Sequence, residues 1–295
     1  MKQLLILSGK GGTGKTTIAS AFIKLASAKT YADCDVDAPN LHLIMQQGCE
    51  PMRRDYFGMS KAEIDANLCI ACGLCKENCR FQAISSEEGF RVNSFYCEGC
   101  GVCEAICPSG AVSLKPAVAG ALMLYNDSNR TFSTAQLKMG SGTTGMLVTE
   151  VKKQMKAAAS PDTTLAVIDG SPGIGCPVIA SLSGVDMVLI VAEPSISGIN
   201  DMERIIKTAK LFKVKVSVCI NKYNTNLVNT EKIEKFCETN DLPYTGRIPF
   251  DPAAVSVVNQ GLTIVDIDCP SGSAAKVVFD HTMKLLFKES DNPIA

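Results

Sequence analysis

Two rhythms of apolar residues run along the chain. The first is a set of short, unbroken apolar runs, as in QLLILSG (3–9), TLAVIDGSPG (164–173), DMVLIVAEP (186–194) and VSVCINKYN (216–224). A run with no polar alternation reads as a strand covered on both faces, which is the signature of a parallel sheet. The second rhythm has the helical period. Ile18, Phe22 and Leu25 predict a helix over 16–28, and TTGMLVTEVKKQMKAA (143–158) and GINDMERIIKTAKLF (198–212) read the same way. TYADCDVDAPN (30–40) reads as a strand end running into an acidic loop. AGALMLYND and RTFSTAQLKM (119–127 and 130–139) predict a hairpin. Further along, a helix is expected over 228–239, a strand at YTGRIPF, a short helix after Asp251 and a last helix from about 272. Strands alternating with helices predict an α/β fold with a mostly parallel sheet.

Between 58 and 116 both rhythms stop. Cysteine and glycine become dense and no long helix is expected. LCIACGLCKENCRFQAI (68–84) aligns with YCEGCGVCEAICPSGAV (96–112) at an offset of 28, matching all four cysteines and the Gly73/Gly101 pair. Such self-similarity marks a duplicated unit. The expected organisation is one discontinuous domain, 1–57 and 117–295, interrupted by an insert, 58–116.

Bulk properties exclude more than they assert. The 295 residues suffice for one large α/β domain and a small one. With 29 basic and 30 acidic residues, nothing points to nucleic acid or an acidic membrane surface. No apolar run approaches the roughly 18 residues of a membrane span. The four apolar residues before Ser8 fall short of a signal sequence, and the closing ESDNPIA is too acidic for a membrane-binding helix tip. The reading is a cytoplasmic protein without stable membrane insertion. Fourteen cysteines in a secreted chain would suggest disulfides, but eight of these stand in metal-ligand spacing, which fits a reducing, low-oxygen compartment.

Two motifs carry chemistry. GKGGTGKT (Gly9 to Thr16) satisfies the phosphate-loop pattern between a strand and a helix. Its glycines let backbone N–H groups turn inward around phosphate, and the helix N-terminus adds positive potential. Gly11, Gly12, Thr13, Gly14, Lys15, Thr16 and Thr17 are therefore nucleotide-binding candidates, with Lys15 on the β- and γ-phosphates and Thr16 on Mg²⁺. The second motif is C-x2-C-x2-C-x3-C, twice. In two-cluster ferredoxins the fourth cysteine of each run ligates the other cluster. That assigns Cys69, Cys72, Cys75 and Cys107 to one [4Fe–4S] and Cys97, Cys100, Cys103 and Cys79 to the other. Cys107 is followed by the usual proline, Pro108, whereas Cys79 is followed by Arg80. The third cysteine at step three argues against paired zinc.

KGGTGKTT, with its second lysine at Lys10, resembles the deviant phosphate loop of the MinD/ParA class of P-loop ATPases. The resemblance covers nearly all of 1–57 and 117–295 and implies ATP/ADP and Mg²⁺ as ligands. It implies that Lys10 reaches a partner subunit's nucleotide. DCDVDAPNL (33–41) looks like the class's first switch, with Asp35 orienting the attacking water and Asp33 and Asp37 near Mg²⁺. VIDGSPGIG looks like Walker B and the second switch, with Asp169 holding a Mg²⁺-bound water and Gly173 sensing the γ-phosphate. INK and IPFD resemble the adenine-contacting segments, with Asn221 on the base edge and Pro249 over the purine; a capping Asn and a plain turn are the alternatives.

The chain as a whole looks like such an ATPase carrying a bacterial-ferredoxin-like α+β insert. The expected protein is a homodimer, or a heterodimer with a paralogue, that couples nucleotide state to electron transfer toward a redox or cofactor-carrying acceptor protein. A cluster scaffold ATPase and a MinD-like positioning ATPase with a redox-sensing insert are the alternatives. Cys34 and Cys176 stand near the two switches, where the nitrogenase iron protein shares a cluster between subunits, but a bridging cluster here is the less favoured reading.

Overall fold

The apolar runs become the inner strands of one large sheet. The computed structural model describes residues 1–127 and 129–288. The acidic tip 289–295, read above as unsuited to a membrane surface, lies outside them. The first part of the chain forms β1 (Lys2–Leu7), α1 (Lys15–Leu25), β2 (Thr30–Asp33), α2 (Leu41–Ile44) and β3 (Met52–Phe57). The cysteine-rich part holds β4 (Lys61–Ile64), α3 (Leu74–Glu77), β5 (Ile84–Ser85), β6 (Arg91–Val92), α4 (Val102–Ala105) and β7 (Val112–Lys115). Then come β8 (Val118–Asn126), β9 (Thr131–Leu137), α5 (Thr144–Ala158), β10 (Leu165–Asp169), α6 (Cys176–Leu182), β11 (Met187–Ala192) and α7 (Ile196–Leu211). The chain closes with β12 (Lys215–Asn221), α8 (Leu227–Thr239), β13 (Tyr244–Ile248), α9 (Pro252–Asn259) and α10 (Pro270–Phe287).

Nine strands make one sheet in the order β13-β12-β11-β1-β10-β2-β9-β8-β3. From β13 to β9 every pairing is parallel, while β8 and β3 are antiparallel additions at the edge. Side chains alternate across the sheet. Leu5, Leu7, Ile168 and Val188 pack into one apolar layer with α5, α6 and α7. Leu4, Ile6, Val167 and Leu189 pack into the opposite layer with α1 and α10. Register matters for function. Ile6 stands opposite Asp169, and Asp169 opposite Asp33, so the carboxyl ends of β1, β10 and β2 share one edge. Loops leaving that edge are where α/β sheets bind ligands.

The segment 61–115 belongs to none of this sheet. It has two small ladders of its own, β4 with β7 and β5 with β6, and its own apolar cluster of Ala62, Ala83, Cys97 and Val112. It leaves from the end of β3 and returns at the start of β8, where Phe57 and Val118 are paired.

Three details differ from the expectation. Residues 52–57, read as loop, form an edge strand. MRRDYF has little apolar character and is mostly exposed, so β8 alone makes it a strand. The first helix ends at Leu25 rather than 28, where Ser27 turns to a φ of 46°. The seven-residue α6, CPVIASL, has no counterpart in the expectation, because it is too short and too uniformly apolar to show a helical period.

Phe132 is fully buried between Tyr31 and Tyr125, with ring centroids 4.9 and 5.4 Å away. Phe132→Ala should destabilise the fold by about 3–5 kcal/mol, read as a lowered midpoint in chemical denaturation. A loss below about 1 kcal/mol would contradict this packing.

Candidate functional site

The loop between β1 and α1 wraps the mouth of a cleft of about 460 Å³. Lys10, Gly11, Gly12, Thr13, Gly14, Lys15, Thr16 and Thr17 all line it, with Asp35, Asn221 and Pro249. Gly14 needs its freedom twice over. Its φ is 91°, and a Cβ there would stand 2.2 Å from the Asn221 amide nitrogen. That nitrogen donates to the Thr13 carbonyl at 2.6 Å, so Asn221 braces the phosphate loop. Its side chain lines the cleft with the amide N–H₂ engaged in this bond.

Behind the loop sits a buried charge cluster. Lys15 Nζ meets Asp169 Oδ1 at 2.5 Å, with side-chain exposures of 6% and 0%. Thr16 Oγ1 donates to the other oxygen, Oδ2, at 2.7 Å. Burial works against the Lys15 charge, but the carboxylates of Asp169, Asp33 and Asp35 outweigh it and hold the pKa above its ordinary value. Asp33 is pushed up to about 7 by burial and then by the Asp169 charge, against the pull of Lys15. Its oxygens accept the backbone N–H of Asp35 at 2.9 Å and of Asn40 and Leu41 at 3.0 Å each. Asp33 thus folds the loop that carries Asp35. Burial also raises Asp35, against the Lys15 charge. Asp37 is exposed on the same turn and is not among the residues lining the cleft. Gly173 has a φ of 97°, and its N–H donates to the Ser8 carbonyl at 3.0 Å.

Lys10 does not point at its own cleft floor. Its ammonium lies 2.7 Å from Glu193 Oε2 and 3.2 Å from Ser195 Oγ. Lys222 approaches the other oxygen of Glu193 at 3.5 Å and donates to the Gly12 carbonyl at 2.7 Å. Burial alone would raise the Glu193 carboxyl, but the two ammonium groups hold it below the ordinary range. Lys222 has a φ of 56°, unusual for a residue with a side chain. Glu193 and Lys222 were missed in the sequence. The available signal was position, since both directly follow the carboxyl end of a buried strand.

The eight motif cysteines fall into two groups around two small cavities. Cys69, Cys72, Cys75 and Cys107 line one; Cys79, Cys97, Cys100 and Cys103 line the other. The fourth cysteine of each run thus sits with the other run's three. Gly73 and Gly101, each with φ near 80°, make the matching turns before α3 and α4. Among the described residues no three His, Cys, Asp or Glu side chains converge closely enough for a single metal ion. Burial raises the thiols of Cys75 and Cys103, the same position in each repeat, while a hydrogen bond with Ser109 lowers Cys107.

The remaining cysteines behave as structural thiols or surface groups. Cys34 is fully buried with its thiol pushed up to about 12 by burial, which is not the setting of a ligand shared across a subunit surface. Cys176 is exposed at the start of α6. Cys219 and Cys237 are buried. Among the described residues no helix is long and apolar enough to cross a membrane.

Two outcomes follow. Gly14→Ala should weaken nucleotide binding about tenfold or more in a titration, because the left-handed strain alone costs ~1–2 kcal/mol before the clash with Asn221. Asp33 keeps in the folded chain a proton that the unfolded chain releases. Its contribution to stability is complete below the ordinary 3.8 and is lost as pH rises through about 7. The nucleotide-free protein should therefore show a Tm component that declines over that window, and Asp33→Asn should flatten it; an unchanged slope would refute the assignment.

Residues 4–264 match the CobQ/CobB/MinD/ParA nucleotide binding domain. An uncharacterized protein of Methanocaldococcus jannaschii is 34% identical over 235 residues, which is 77% of this chain and 80% of that one. The septum site-determining protein MinD of Helicobacter pylori is 29% identical over 128 residues, 40% of this chain and 48% of its own. Among solved structures, MinD of Pyrococcus horikoshii complexed with Mg-ADP has a TM-score of 0.58 at 17% identity, over 99% of both chains. MinD in the MinC:MinD complex of Aquifex aeolicus gives 0.55 at 18%, over 100% of this chain and 99% of that one. These structural likenesses speak to the fold. The family match, joined to the phosphate loop and its buried Lys15–Asp169 pair, places the chain in the CobQ/CobB/MinD/ParA family as an ATP-binding P-loop ATPase of the MinD/ParA type.

Proposed function

We propose that the protein is a dimer-forming, ATP-hydrolysing switch whose 58–116 insert holds two [4Fe–4S] clusters, and that nucleotide state controls electron transfer from them to a partner protein. The observation that supports this is the sorting of the eight cysteines into two sets of four, each lining one small cavity, with Cys79 and Cys107 exchanged between the runs. Cys69, Cys72, Cys75 and Cys107 would hold one cluster, and Cys97, Cys100, Cys103 and Cys79 the other. Each cluster, when bound, supplies a one-electron carrier whose potential depends on hydrogen bonds and exposure. The Ala62 N–H at 3.4 Å from Cys97 Sγ and the Ala83 N–H at 3.4 Å from Cys79 Sγ are such donors at the second site.

In the ATPase, the residues take these roles. Lys15 exchanges Asp169 for the β- and γ-phosphates. Thr16 and Asp169 then face Mg²⁺, directly or through water, with Asp33 and Asp35 close by. Asp35, half-buried in the cleft, orients the attacking water. Gly173 turns its N–H from the Ser8 carbonyl to the γ-phosphate. Lys10 leaves Glu193 for the nucleotide of the opposing subunit, whether a second copy or a paralogue, where its charge stabilises the transferring phosphoryl group. Asn221 and Pro249 shape the base end of the cleft.

A second reading has its own support. The likeness to MinD in sequence and fold favours a regulatory or positioning ATPase in which the insert senses redox state. A cluster scaffold is disfavoured, because Cys269 is buried as the cap of α10, where its sulfur accepts from the Gly272 N–H at 3.3 Å. Its thiol is engaged inside the fold rather than presented for transfer.

Anaerobically purified protein should contain about eight irons per chain, and Cys107→Ser should disturb the site of the first run rather than its own. Zinc in place of iron would overturn the cluster assignment. A midpoint potential that moves with MgATP supports the electron-transfer reading, and one indifferent to nucleotide supports the sensing reading. Lys15→Ala should abolish nucleotide binding. Lys10→Ala should bind normally yet lose hydrolysis by roughly 10³-fold, the scale of a cation supplied in trans; normal turnover would refute that role.

A further inference from the structure

The two cysteine sites are copies in sequence but not in surroundings. We propose that nucleotide state reaches the second site, around Cys97, Cys100 and Cys103, and not the first, and that the Lys138–Thr143 loop carries it. This rests on the switch reading above, but not on the clusters.

Glu98 lines the second cavity and also faces the large domain. A Cβ built on Gly142 would lie 3.2 Å from Glu98 Oε2, and one on Gly140 would lie 3.3 Å from the Phe95 ring. The loop is anchored on the sheet, where the Lys138 N–H donates to the Ala119 carbonyl at 2.8 Å. It leads straight into α5. There a Cβ on Gly145 would come 3.1 Å from the backbone carbonyl of Cys176, the first residue of α6. Cys176 is the third residue after Gly173, whose N–H is held by Ser8 at 3.0 Å. Close neighbours therefore lead from Gly173 through α6, Gly145 and the 138–143 loop to the wall of the second cysteine site. Three residues on this route are glycines, which face the Phe95 ring, the Glu98 carboxylate and the Cys176 carbonyl with no side chain of their own. Insert residues alone line both cavities; the second differs in that Glu98 on its wall and the nearby Phe95 stand against Gly142 and Gly140 of the large domain.

When Gly173 releases Ser8 to meet a γ-phosphate, the start of α6 moves. Gly145 then follows, since less than a methyl group's width separates it from the Cys176 carbonyl, and with it the loop against Phe95 and Glu98. A discrete rearrangement of packed elements of this kind is how small shifts at an effector site travel.

Hydrogen exchange on the anaerobically purified full chain tests this, comparing Mg-ADP with a non-hydrolysable Mg-ATP analogue. The repeat provides its own control, 97–103 against 69–75. Amides at 97–103 should change rate by about fivefold or more, the lower end of what coupled sites show, while those at 69–75 stay constant. A Phe95→Ala/Glu98→Ala variant should lose the change at 97–103 but keep protection of the phosphate-loop amides 9–17. Equal changes in both repeats would overturn the proposal. So would constant rates at 97–103 in protein whose 9–17 amides report bound nucleotide. Iron content decides the cluster reading separately, so the two can fail independently.

Discussion

The buried pair of Lys15 and Asp169 is the constraint on which the rest of the nucleotide edge depends. It joins the helix after β1 to the end of β10, and its carboxylate also receives Thr16. Asp33 and Asp35 stand in the same field, so one ammonium faces three carboxylates with little water to screen them. Such an arrangement is short of positive charge. Asp33 answers by holding its proton to about 7, and Asp35 is raised as well. A divalent cation arriving with phosphates would relieve the carboxylates, while Lys15 and the helix N-terminus are freed for the anion. The surplus of carboxylates at this edge is thus matched in charge to a nucleotide with its divalent cation.

A second arrangement of charge lies at the rim. Glu193 carries Lys10 on one oxygen and Lys222 on the other, and Lys222 is also fastened to the phosphate loop at Gly12. Departure of Lys10 would leave Glu193 with Lys222 as counter-ion, so the exchange does not strand a partly buried carboxylate. The rim and the buried pair are thus joined through one backbone loop, which carries Lys10, Gly12 and Lys15.

Much of this was legible along the chain. Unbroken apolar runs announced inner parallel strands because both of their faces had to be covered, and β1, β10, β11 and β12 lie where those runs stand. The phosphate loop was legible because its glycines answer a local backbone requirement, seen in the φ values of Gly12 and Gly14. The edge strand β3 was not, since its polar residues become a strand only by hydrogen bonding to β8. Glu193 and Lys222 were hidden for a related reason: each is an ordinary charged residue after a strand until the fold brings them together over 29 residues of chain.

By itself, then, the sequence determined the α/β class, the phosphate-binding turn and the duplicated cysteine spacing, because each arises from neighbours along the chain: burial period, backbone freedom, ligand step. Tertiary structure decided what depends on distant segments meeting. It set the order of strands around β1 and brought three carboxylates to one ammonium. It parked Lys10 on Glu193, and it set Phe95 and Glu98, beside one of the two cysteine sites, against the loop leading into α5. Those outcomes follow from sheet register and packing between elements far apart in sequence, for which no local pattern of residues is a record.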